Sequence, residues 1–240
     1  MMKCKIKIGN IKQFVKLELS GWSGFEKFGL FMILILIIFN KLFLNDSSVA
    51  IISAFCGISY TILAGKGKIS CYLFGLLGTG FYSYLAFKNS LFGNLLLYMG
   101  YYIPMQIFGI FKWRHFLDKK TNEIIKTSLR ANERIIFITL AIIFSIIIIF
   151  ILKILGDSHP ILDSLTTVLS IIGMYLTVKR VIEQWMVWMI VNGLSIIIWT
   201  KQMLVGEKVY STILMWSVYL ILAIYFYFKW KQELNTKSMT

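Results

Sequence analysis

The chain has 240 residues, 58% of them hydrophobic and only 15% charged, and the apolar residues come in unbroken blocks rather than amphipathic stripes, which excludes a water-soluble domain. Its formal net charge of +14 does not call for nucleic acid, because the cations collect in the gaps between blocks, where basic loops facing anionic lipid account for them. Three cysteines without CxxC spacing (Cys4, Cys56, Cys71) exclude a disulfide framework.

Residues 1–27 alternate Lys with Ile, Phe, Val and Trp, the composition of a segment lying on a membrane surface rather than of a globular domain. A cleaved leader is not expected, since the first long apolar block ends at Asn40-Lys41 without small-residue cleavage chemistry. Eight spans follow, at 28–44, 48–65, 69–87, 91–111, 134–153, 161–178, 183–200 and 208–228, each near the ~20 residues that cross ~30 Å of hydrocarbon. A basic loop occupies 114–133 and a short tail 231–240. With the N-terminus inside, eight spans place 20 of the 25 Lys and Arg on the inner side and 5 outside, so both termini are expected in the cytoplasm.

The blocks are duplicated. Gly80, Lys88, Leu91 and Gly93 recur as Gly193, Lys201, Leu204 and Gly206 at an offset of 113. Asp46 and the ending Phe111-Lys112-Trp113 recur as Asp163 and Phe228-Lys229-Trp230 at an offset of 117. Residues 46–113 and 161–230 thus form two three-helix units. An odd number of spans would invert the second unit, but the intervening 134–153 adds a crossing and keeps the two parallel. The predicted fold is all-α and integral to the membrane: an accessory helix at 28–44 plus a 3+1+3 parallel duplicated bundle. Such doubled bundles suit a carrier that closes one side while opening the other.

Polar side chains within spans mark the interior of the bundle. The fourth span carries Asn94, Tyr98, Tyr102 and Gln106, the last three on one helical face. The seventh carries Trp185, Trp188 and Asn192. Tyr102 and Asn192 fall ~16 Å and ~14 Å from the ends of their spans, both near the midplane. Indole faces with side-chain amides can sandwich a flat ring and hydrogen-bond a carboxamide or hydroxyls. Taken singly, Trp185 fits the interfacial aromatic belt, the amides fit interhelical bonding and the tyrosines fit packing; their common depth is what favours a site. Asp46 and Asp163 read as helix N-caps, and Pro104 as a kink.

No Asp, Glu, His, Lys or Arg sits firmly within a span, no GxxxxGK[ST] loop is present, and His115 and His159 fall in loops on opposite sides. No nucleophile, acid–base pair, metal set or cofactor motif emerges, so the expectation is a passive carrier and not an enzyme.

These residues resemble the PnuC family of vitamin transporters, relatives of the SWEET sugar carriers. The likeness covers about residues 46–232, through Gly93-Asn94-Leu95-Leu96-Leu97-Tyr98, Tyr102-Ile103-Pro104-Met105-Gln106, Gly109 and Trp113-Arg114, then Asp163-x-x-Thr166-Thr167 and Glu183-x-Trp185-x-x-Trp188 with Asn192. The resemblance implies a homotrimer in the bacterial inner membrane that takes up nicotinamide riboside by facilitated diffusion, with phosphorylation by a cytosolic kinase trapping it. It further implies that Trp185, Trp188 and Asn192 line the substrate path with Gln106, Tyr98 or Tyr102. Thiamine or a deoxynucleoside stays open as the cargo, as does a structural or signalling subunit that carries nothing.

Overall fold

The computed structural model describes residues 22–24, 26–27, 31, 48–88, 92–118, 121–156, 159–204 and 210–238. The expected first span, apart from Phe31, and Asp46 lie outside the described residues, so seven helices stand for the eight spans. They are α1 (Ser48–Lys66), α2 (Cys71–Lys88), α3 in three consecutive pieces (Phe92–Leu97, a π-turn Tyr98–Tyr102, Ile103–Arg114), α4 (Ala131–Ile154), α5 (Pro160–Lys179), α6 (Glu183–Leu204) and α7 (Tyr210–Ser238). Four of them are long and apolar enough to cross a membrane.

Helix α2 packs between α1 and α3, and α6 packs between α5 and α7. The two triplets meet crosswise, with α3 against α5 and α7 against α1. Helix α4 leans mainly on α5, joined where the Ser164 hydroxyl donates to the Ser145 carbonyl at 2.7 Å; Ser145 is its one buried residue, and most of its Ile and Phe side chains face outward. Small hydroxyl residues let two such helices approach closely where no hydrophobic force distinguishes helix from lipid.

The crosswise contacts repeat. The Trp113 indole at the end of α3 donates to the Thr177 carbonyl of α5 at 3.2 Å, and the Trp230 indole at the end of α7 donates to the Gly65 carbonyl of α1 at 2.6 Å. Helices α1 and α5 also end alike. Lys68 N–H bonds Leu63 O and Gly67 N–H bonds Ala64 O; Val181 N–H bonds Leu176 O and Arg180 N–H bonds Thr177 O, a Schellman pattern in each case. That closure needs a left-handed residue, and Gly67 (φ 76) supplies it freely. At Arg180 (φ 64) the same conformation costs about 1–2 kcal/mol, which surrounding contacts must offset.

The irregularity expected at Pro104 takes the form of a π-turn, in which the Ile103 N–H reaches back five residues to Tyr98 O. Two expectations change in detail. Asp163 is not an N-cap, because Pro160, with its preset φ, starts α5 a turn earlier and puts Asp163 inside the helix. Helix α7 does not end near 228 but continues to Ser238, carried by good helix formers and by Leu234, which packs on the core.

Candidate functional site

Gln106 organises the middle of the bundle. It is 4% exposed, its Nε2 donates to Thr79 Oγ1 at 2.7 Å, and its Oε1 is buried with no partner among the described residues. Glycine at position 75 makes room for it: a Cβ there would stand 2.5 Å from Oε1 and 2.8 Å from Tyr60 Cδ2. One and two turns earlier on α3, Tyr102 and Tyr98 meet edge to face at 4.9 Å, and Tyr98 stacks on Tyr82 of α2 at 4.3 Å. The Tyr102 hydroxyl faces Ser170 of α5, while Tyr101 donates to Ile171 O at 2.8 Å.

Helix α6 carries further candidate residues. The Trp188 indole lies flat enough on α5 that a Cβ at Gly173 would stand 3.1 Å from its Cε2, and its Nε1 donates to Thr177 Oγ1 at 3.2 Å. One turn on, Asn192 is 4% exposed. An apolar recess between α1 and α2, lined by Val49, Leu76 and Gly80 among others, opens outward and is separate from this layer.

Trp185 goes elsewhere. It is buried among Phe226 (5.3 Å) and Trp230 (5.7 Å, edge to face) of α7, with no partner for its Nε1 among the described residues, so the two tryptophans of α6 serve different neighbours. Tyr72 holds the matching place in the first triplet, edge to face with Trp113 at 4.9 Å. The backbone of Asn94 lies in the first turns of α3, and its side chain lies outside what is described. Sequence reasoning missed Thr79, Ser170 and Thr177. The internal offset would have found one of them: Thr79 pairs with Asn192 at 113.

Below this layer the bundle is basic. The buried charged side chains among the described residues are Glu26, Lys66, Lys68, Lys126, Arg180 and Glu183, all at the end where α1 and α5 finish. The loop joining the triplets crosses that end. Its Ile124 N–H bonds Gly67 O at 2.9 Å and its Thr127 N–H bonds Arg180 O at 3.0 Å, one bond to each left-handed turn. Arg180 stacks on Phe116 at 3.5 Å and donates to Ile125 O at 2.7 Å, contacts that hold its strained backbone; burial pushes its guanidinium below the ordinary value. Burial likewise lowers Lys126, which Glu233 partly restores.

Glu26 bridges the triplets, accepting from Lys66 of α1 at 2.9 Å and Lys229 of α7 at 2.6 Å. Desolvation pushes its carboxyl up, but hydrogen bonds from Lys229, Lys66 and the Ser23 N–H together hold it below the ordinary range. The described residues hold no cluster of His, Cys, Asp and Glu suited to a metal ion.

A profile of the family described as nicotinamide mononucleotide transporter matches residues 47–232. A nicotinamide riboside transporter PnuC of Neisseria mucosa is 32% identical over 228 residues, covering 91% of this chain and 85% of that one. One of Haemophilus influenzae is 31% identical over 213 residues, covering 88% and 91%. The crystal structure of a vitamin B3 transporter PnuC superposes with a TM-score of 0.81 at 32% identity, covering 93% of this chain and 98% of that one. Overall fold and sequence therefore agree, and the chain belongs to the nicotinamide mononucleotide transporter family of multi-pass membrane proteins.

Proposed function

We propose that the protein imports nicotinamide riboside by facilitated diffusion through the layer formed by Gln106, Trp188, Asn192, Tyr98 and Tyr102, with cytosolic phosphorylation trapping the product. The buried, unpaired Oε1 of Gln106 carries this reading. A carboxamide N–H is a donor of the right kind for it, and satisfying a buried acceptor contributes about 1–3 kcal/mol. The indole face of Trp188 suits a flat pyridinium, with a cation–π term of about 2 kcal/mol when desolvated. Trp185 belongs to the floor beneath the site rather than to its wall, as its packing on Trp230 suggests.

Among the described residues, buried charges gather at the basic end and not in this layer, which supports transport uncoupled from an ion. We take the basic end as cytoplasmic, with eight spans in a bacterial inner membrane, both termini inside, and three copies each holding its own path. The test is a panel of nicotinamide riboside, thiamine and deoxynucleosides, titrated against purified protein by calorimetry and then followed as uptake into vesicles with and without a proton gradient. Riboside binding that Trp188→Ala and Asn192→Leu both weaken, with uptake indifferent to the gradient, is the expected outcome. Preference for thiamine or a deoxynucleoside would reassign the cargo, and binding without uptake would point to a non-transporting subunit.

A further inference from the structure

We infer that Thr177 is a positioning residue for Trp188 and that its main chain ties this indole to the closure of the basic end; the inference rests on the riboside reading of the site. Thr177 is 2% exposed and serves two tryptophans at once. Its Oγ1 accepts from Trp188 Nε1 at 3.2 Å while donating to Gly173 O at 2.9 Å, so the hydroxyl proton is committed and a lone pair is left aimed at the indole. Its carbonyl accepts from Trp113 Nε1, also at 3.2 Å. With Gly173 as a flat floor beneath Cε2 and Cζ2, the indole has one acceptor and one surface that fix its tilt.

The corresponding residue of the first triplet is Ala64, at the offset of 113, which has no hydroxyl. There the closing indole of Trp230 uses the neighbouring Gly65 carbonyl, and Gly75 stands where Trp188 would be. Wall tryptophan, hydroxyl and closing indole thus meet at the end of α5 and not at the end of α1, Trp113 reaching α5 from the first triplet. A shift of α3 relative to α5 that breaks the Trp113 bond acts on the same helical turn that orients Trp188.

Full-length protein carrying Thr177→Val, which keeps the shape and removes the acceptor, is compared with Thr177→Ser, which keeps the acceptor. The ligand-free emission of Trp188 is isolated by subtracting spectra of the same proteins with Trp188→Phe. Valine is expected to shift that emission and weaken riboside binding about tenfold, while serine stays within about threefold of the parent protein. Trp113→Phe is expected to weaken binding a few-fold in the parent and by less on top of Thr177→Val, the sign of a shared link. Unchanged Trp188 emission with parental affinity in Thr177→Val would overturn the positioning role, and strict additivity with Trp113→Phe would overturn the link. Should the parent protein fail to bind riboside while valine but not serine shifts the emission, the positioning role stands and the cargo reading falls.

Discussion

Gln106→Leu separates a residue kept for the fold from one kept for a ligand. Without ligand, the glutamine carries a buried unpaired Oε1, a liability of about 1–3 kcal/mol, set against one hydrogen bond to Thr79 contributing about 0.5–1.5 kcal/mol. Leucine removes both. The Thr79 hydroxyl can then turn to a carbonyl one turn earlier, as Ser83 already does to Thr79 O at 2.8 Å. The ligand-free fold should therefore lie within about 1 kcal/mol of the parent or slightly above it. The liganded state loses an acceptor and strands a carboxamide donor, about 1.4–2.8 kcal/mol, or a ten- to hundredfold higher Kd. Thermal unfolding without ligand and calorimetric titration with riboside measure the two terms separately. A Tm that falls by more than about 5 °C together with an unchanged Kd would refute the argument and make Gln106 a structural residue.

At the basic end, Glu26→Gln leaves the buried Lys66 ammonium short of a counter-charge and should cost about 3–5 kcal/mol at neutral pH. The Glu26 carboxyl is held below its ordinary value of 4.5, so its contribution is complete above that pH and is lost as pH falls through the lower native value. Stability profiles of parent and Glu26→Gln should accordingly converge on acidification below about pH 4.5, and parallel profiles would contradict the bridge. Gly67→Ala forces a left-handed alanine whose Cβ stands 2.8 Å from Ile124 Cγ1 and should cost at least about 1–2 kcal/mol; denaturant melts measure it, with Gly80→Ala, which meets nothing within 4 Å, as control.

The all-helical character and the order of the described helices were legible because a bilayer forces each crossing to be long and apolar, and that pattern survives inspection of single residues. Side-chain partners were not. Spacing puts Trp185 and Trp188 near one another on α6, but a helix face spans several neighbours, and only packing shows that one turns to α7 and the other to α5. The segments before the two triplets hid their likeness for another reason. Ser23 N–H bonds Glu26 and Lys66 pairs with it; Arg130 N–H bonds Glu133 and Lys179 pairs with that. Serine in one case and arginine in the other, separated by 107 rather than 113 or 117 positions, leave no motif to read.

Where the triplets agree and where they differ divides the molecule by depth. Agreement lies at the basic end: Lys66 pairs with Glu26 and Lys179 with Glu133, the left-handed turns at 67 and 180 each hold the joining loop, and Trp113 and Trp230 each bond the opposite triplet. Difference lies in the middle. Tyr60 on α1 packs over Gly75 on α2, while Gly173 on α5 underlies Trp188 on α6, so the large and small partners have exchanged helices. Thr79 faces Asn192 across the offset, and Gln106 has Ala223 as its counterpart. A closure made by two parallel halves works best if both halves close alike, since either one failing leaves a leak. A solute with a charged ring at one end and hydroxyls at the other has no such symmetry, and equal walls would hold it equally well in two orientations, halving the use of every hydrogen bond. Divergence greatest around Gln106 and Trp188, over a largely matched frame, is therefore what selection for an asymmetric cargo should leave in a duplicated carrier.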